Sequence, residues 1–166
     1  VIGIYNAYSN YIKEMNDFDK CIIIFLDHTD LFKVYNGLQE KYINVIYKIL
    51  ELAKIQDMKI YLKYHPREKE YYIKNVKKFN NLDFINKCIP SEAVFLKCNK
   101  NSIIITGLST SLVTASKLDE HFMRISLMKI LNIYNKRVAD TYQKLGIFLP
   151  ENFGELQAEL IGFFMD

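Results

Sequence analysis

Apolar positions change period several times along the chain, and each change marks an element. Cys21-Ile22-Ile23-Ile24-Phe25-Leu26 is an unbroken, β-branched run. It is too short for a helix and apolar enough for a strand buried on both faces. From Leu38 the spacing turns helical: Leu38, Tyr42, Val45, Ile46, Ile49, Leu50 and Ala53 recur mostly at steps of three and four. Ile60-Tyr61-Leu62 predicts a second strand, stopped by Pro66, which disfavours helix at His65. Tyr72, Val76 and Phe79 predict a helix, Leu82 to Ile85 a short strand, and Ala93 to Leu96 a short helix entered past Pro90 and Ser91. Ser102 to Thr106 reads as another buried strand, turned by Gly107 into a helix over Leu112 to Leu118. Phe122 to Leu127 is the last strand, and the tail to Asp166 is mostly helical with a break near Gly146 to Pro150.

Strands that are nearly all apolar, alternating with helices, require a parallel sheet covered on both faces. The expectation is one α/β domain over residues 1–166, doubly wound, mostly parallel and Rossmann-like. A chain of 166 residues suits one sizeable core, and its 50% hydrophobic content excludes disorder. No apolar run approaches the roughly 18 residues of a membrane span, and no secretory leader is visible. The net charge of +3 is spread over interleaved lysines and acids, which makes no nucleic-acid surface. Three cysteines, Cys21, Cys88 and Cys98, lack metal-ligand spacing. They are expected to be free thiols among apolar neighbours, in a reducing cytoplasm. The first residue is Val1 rather than Met, as expected of a processed product or a piece of something longer.

Ligands of such sheets bind beyond the carboxyl ends of the strands, where the strand order reverses. Four groups fall there: Asp27-His28-Thr29-Asp30, Lys63 to Glu68, Ile89-Pro90-Ser91-Glu92, and Gly107 to Ser111. His65 with Arg67 offers donors and positive charge to an anion. Gly107 to Ser111 is a hydroxylated turn opening a helix, whose free N–H groups favour phosphate. Glu92 has the chemistry to accept two ribose hydroxyls. Each has a plainer reading as well. Ser109, Thr110 and Ser111 also make ordinary helix caps, Glu68 a first-turn carboxylate favoured by the helix dipole, and Glu92 a solvated side chain. The Asp27 to Asp30 group fits turns and caps better than a metal site, and no metal is expected.

The order Lys63-x-His65-Pro66-Arg67-Glu68, Ile89-Pro90-x-Glu92, Gly107-x-Ser109-Thr110-Ser111 resembles the C-terminal half of bacterial GT-B sialyltransferases, the lipooligosaccharide and capsular polysialyltransferase type. The similar region runs from about Cys21 to Leu127. The resemblance implies an inverting transfer of sialic acid from CMP-sialic acid to a cell-surface glycan, with no cofactor and no metal. It places Lys63 near the cytosine, Glu92 on the ribose, and His65-Pro66 with Ser109, Thr110 and Ser111 at the phosphate. Which two of those three hydroxyls face the phosphate stays open. Arg67 either adds positive field there or pairs with Glu68. The general base would belong to an N-terminal domain, so this chain alone is expected to bind and not to transfer. Residues 1–20 then form an interdomain segment. The apolar stripe Leu156, Leu160, Phe163 and Phe164 in the helix over 151–166 packs on this domain or returns to the missing one. The implied location is cytoplasmic, with peripheral contact to the inner face of the membrane left open. Close alternatives are a CDP-glycerol glycerophosphotransferase or a CMP-Kdo capsule transferase. A more distant one is a non-catalytic flavodoxin-like signalling or nucleotide-binding module.

Overall fold

Ile22, Ile23 and Ile24 lie in register beside Ile103, Ile104 and Ile105, and all six have no solvent exposure. Full burial of a side chain of this size contributes roughly 1.5–3 kcal/mol, so these paired runs anchor the core. The structure, a computed structural model, describes residues 2–119 and 121–165; the expectation drawn from Val1 lies outside them.

Two short helices, α1 (Ile2–Ala7) and α2 (Ser9–Glu14), precede β1 (Ile22–Phe25), α3 (Asp30–Val34) and α4 (Leu38–Ile55). Then come β2 (Ile60–Lys63), β3 (Leu82–Ile85), α5 (Ser91–Lys97), β4 (Ile103–Thr106), α6 (Ser111–Leu118), β5 (Met123–Ser126), α7 (Lys136–Lys144) and α8 (Phe153–Met165). The five strands form one all-parallel sheet in the order β3-β2-β1-β4-β5. The fold is therefore the Rossmann-like α/β sheet expected from the apolar pattern. The chain runs from β1 through α4 to β2, then from β3 through α5 to β4 and through α6 to β5; by the right-handed rule for parallel crossovers, the two directions of travel put α4 on the face opposite α5 and α6. The direction reverses between β1 and β4. Phe25 aligns with Lys63, Lys63 with Ile85, and Thr106 with Ser126, which brings the carboxyl ends to one rim.

Helix α4 buries Leu38, Tyr42, Val45, Ile46, Ile49, Leu50 and Ala53, the stripe read from the sequence, with Leu52 added. The tail helix α8 buries Leu156 and Leu160 and packs on α4, while Phe163 and Phe164 stay half-buried. Lys20 donates to the Phe163 carbonyl at 3.0 Å and stands 4.5 Å over its ring. Among the described residues, no helix is long and apolar enough to cross a membrane.

Three expectations are corrected. Tyr72 to Phe79 does not form a helix; only Val76–Lys78 makes a single 3₁₀ turn. Tyrosine hydroxyls take the backbone instead: Ile73 N–H donates to Tyr64 Oη at 2.9 Å, and Tyr47 donates to the Lys74 carbonyl at 2.5 Å. Strand β3 is an edge, with Asp83 and Phe84 exposed rather than buried. The three cysteines are free, but only Cys21 is buried; Cys98 is intermediate and Cys88 exposed.

Candidate functional site

The rim is organised by Asp27, two residues past the end of β1. Its carboxylate accepts Gly107 N–H at 2.8 Å on Oδ2 and Leu108 N–H at 3.1 Å on Oδ1. Its own N–H donates to Tyr42 Oη at 3.0 Å, and its carbonyl accepts from the Tyr72 hydroxyl at 2.7 Å. Burial pushes its pKa up to about 6, against the pull of the two N–H donors. A β-carbon on residue 107 would lie 2.2 Å from Asp27 Oδ2, so only glycine fits there. Ser126 Oγ donates to the Gly107 carbonyl at 2.6 Å, and the Tyr142 hydroxyl to the Ser109 carbonyl at 2.9 Å. The turn after β4 is thus tied by its main chain to β1, β5 and α7.

This corrects the expectation of an open row of N–H groups at Gly107 to Ser111. Asp27 occupies those of Gly107 and Leu108, and Ser111 N–H donates to Ser109 Oγ at 3.2 Å. The N–H groups of Ser109 and Thr110 and the Thr110 hydroxyl have no partner among the described residues. Ser109 Oγ and Ser111 Oγ share a hydrogen bond at 2.9 Å. The donors free to meet an anion are therefore centred on Ser109 and Thr110, at the N-terminus of α6.

Past β2, Lys63 is buried with its ammonium donating to the Lys87 carbonyl at 3.1 Å. Desolvation pulls its pKa down to about 8, partly opposed by Cys88 and Glu92. His65 Nδ1 accepts Arg67 N–H at 3.2 Å, which leaves the proton of the neutral ring on Nε2. Burial lowers the His65 pKa below its ordinary value, and the nearby His28, Arg67 and Lys63 add to this. The His28 ring meets it edge-on at 5.1 Å.

Glu68 does not cap a helix, because none starts there. It is buried and accepts Thr29 N–H at 2.9 Å, the Thr29 hydroxyl at 3.2 Å and Lys69 N–H at 3.1 Å. Burial alone would raise its pKa, yet these donors and His28 hold it below the ordinary glutamate value. Glu68 thus clips the loop after β2 to the loop after β1. Arg67 does not pair with it and makes no ion pair with any described residue.

These loops enclose a cavity of about 360 Å³ at the β1/β4 reversal. Phe25 and Leu26 line it from the β1 end; Lys63, His65 and Pro66 come from the β2 end, Cys88 to Glu92 from the β3–α5 loop, and Ser109, Thr110 and Ser111 from the β4 end. All the sequence-predicted site residues except Arg67 line it. Arg67 faces a neighbouring groove with Asp30 and Lys33. Sequence reasoning missed the clamp role of Asp27. The available signal was an acid just past one apolar run and a glycine just past another, which the parallel register of β1 and β4 sets one position apart. It also missed Cys88, whose place on the cavity wall nothing in its flanks, Lys87 and Ile89, announces.

Fold and site together define a class: a Rossmann-like parallel α/β domain with a polar cavity, carrying one lysine, one histidine and one glutamate, at its switch point. Within that class, the chain belongs to the alpha-2,8-polysialyltransferase family, whose model matches residues 7–121, well over half of its length. Membership implies transfer of sialic acid from a CMP-sialic acid donor to a glycan acceptor. No curated protein is a significant match to the sequence.

Proposed function

We propose that this chain is the donor-binding part of an inverting sialyltransferase and holds the CMP half of CMP-sialic acid in the rim cavity. The observation that carries this reading is the convergence of Lys63, His65, Glu92 and Ser109 to Ser111, from three separate loops, on one cavity. His65 Nε2–H, the Ser109 and Thr110 N–H groups and the Thr110 hydroxyl are the donors for the phosphate. As the bond from the sialyl anomeric carbon to the phosphate oxygen breaks, charge grows on CMP. Donors fixed in advance stabilise that charge most, typically by about 3 kcal/mol for a well-placed one. Glu92 accepts the ribose hydroxyls and Lys63 lies deepest, towards the base. Arg67 acts only through its field. The general base that activates the acceptor hydroxyl belongs to a second domain of a GT-B enzyme, so residues 1–166 bind donor without turning it over.

Calorimetry with CMP-sialic acid, CDP-glycerol and CMP-Kdo tests the reading, together with a transfer assay on the same chain. Binding of CMP-sialic acid, weakened about tenfold or more in His65→Ala and without transfer, is the expected result. Binding of CDP-glycerol in preference would reassign the donor, and transfer by these residues alone would overturn the division of labour.

A further inference from the structure

We propose that the sialyl half of the donor lies in a second groove, across the Ser109–Thr110 ridge, and that Arg137 recognises its carboxylate. The proposal rests on the nucleotide reading above and extends it to the sugar. Ser109 and Thr110 line two cavities, the one shared with His65 and Glu92 and a second of about 290 Å³ between α6 and α7. A phosphate bound on that ridge carries two ester oxygens leading to different groups. With the nucleoside on the Glu92 side, the sugar has the opposite side open to it.

The chemistry of the second groove fits a carboxylate-bearing sugar. Leu108, Val113 and Val138 give it apolar walls for the C–H face of a pyranose and an acyl methyl. Arg137 supplies its one cation and makes no ion pair with any described residue. A guanidinium fork matches a carboxylate in two parallel hydrogen bonds. No acid lines this groove. The groove beyond His28 is the competing place, and it fails on both counts. It shares no lining residue with the nucleotide cavity, and its cations Lys33, Arg67 and Lys69 are matched by Asp30, Glu68 and Glu70, whereas Arg137 has no acid beside it in its groove.

The test compares CMP with a non-transferable fluorinated analogue of CMP-sialic acid on the wild-type chain and on Arg137→Ala, Arg137→Lys and Val113→Phe. The wild type is expected to bind the analogue at least about tenfold more tightly than CMP, the value of one charge-assisted contact. Arg137→Ala should remove that advantage and leave CMP affinity within about twofold. Arg137→Lys should recover it only in part. Val113→Phe, which fills the groove without touching charge, should act like Arg137→Ala. Equal loss for both ligands, or no loss for either, would overturn the sugar site while leaving the nucleotide site standing. A folded wild type that binds neither ligand would overturn both.

Discussion

The carboxylate of Asp27 occupies the space that a side chain on Gly107 would need: a β-carbon there would stand 2.2 Å from Oδ2. Two residues eighty positions apart in sequence are thus fitted to each other, one by its charge and one by its lack of a side chain. Gly107→Ala is expected to destabilise the chain by about 3 kcal/mol, through overpacking and loss of the paired hydrogen bonds. Asp27→Ala should cost a similar amount by leaving the buried Gly107 N–H and the half-buried Leu108 N–H unpaired. In urea unfolding, the double variant should cost clearly less than the sum, because alanine at 27 frees the space that alanine at 107 needs. Strict additivity would show that the two residues do not share one site.

Asp27 also has a pH signature. Its pKa in the folded chain is about 6, against an ordinary 3.8. Between these values the folded state holds a proton that the unfolded chain has released. The stabilisation is complete below about pH 4 and is lost as pH rises through about 6. Relative to Asp27→Asn, the wild type should lose on the order of 3 kcal/mol between pH 4 and pH 7. Unfolding curves of both proteins at the two pH values decide it; an unchanged difference would mean that Asp27 titrates normally.

Lys63 is expected to set the alkaline limit for binding an anion. Burial brings its pKa down to about 8 from 10.5, so its charge is lost within an accessible range. A bound nucleotide favours the ammonium, and CMP affinity should therefore fall as pH rises from 7 to 9.5, with a proton taken up on binding above pH 8. In Lys63→Met, affinity should be lower and flat over the same range. Calorimetry in buffers of different ionisation enthalpy reads both; a flat wild-type profile would place Lys63 away from the ligand.

His65 donates through Nε2 because the Arg67 amide holds Nδ1 as an acceptor. His65→Ala should weaken CMP binding about tenfold or more, as expected for a hydrogen bond to a charged group. His65→Gln, which keeps a donor at similar reach, should recover part of it. Equal losses in the two variants would point to packing rather than donation.

The sheet was legible because Ile22 to Ile24 and Ile103 to Ile105 are strands whose period needs no context. Helix α4 was legible for the same reason, since one repeating stripe meets one core. Tyr72 to Phe79 was not, because the hydroxyls of Tyr47 and Tyr64, on α4 and just past β2, capture that backbone. Glu68 was misplaced for a related reason: the local rule assumed a helix, and the carboxylate found Thr29 instead. In the site, Lys63, His65, Glu92 and Ser109 to Ser111 were singled out by residue type at strand ends and by the family resemblance, and the structure brings them to one cavity. Asp27 looked like an ordinary turn residue until the parallel register brought it beside Gly107.

The clamp around residues 107–109 grips backbone atoms alone. The side chains of Ser109 and Ser111 bond only to the Ser109–Ser111 turn itself, and that of Thr110 is unengaged. The scaffold and the chemistry of this loop are therefore separable in heredity as well as in space. Substitutions at 110 and 111 are free to alter what the ridge holds while Asp27, Ser126 and Tyr142 keep it where it is.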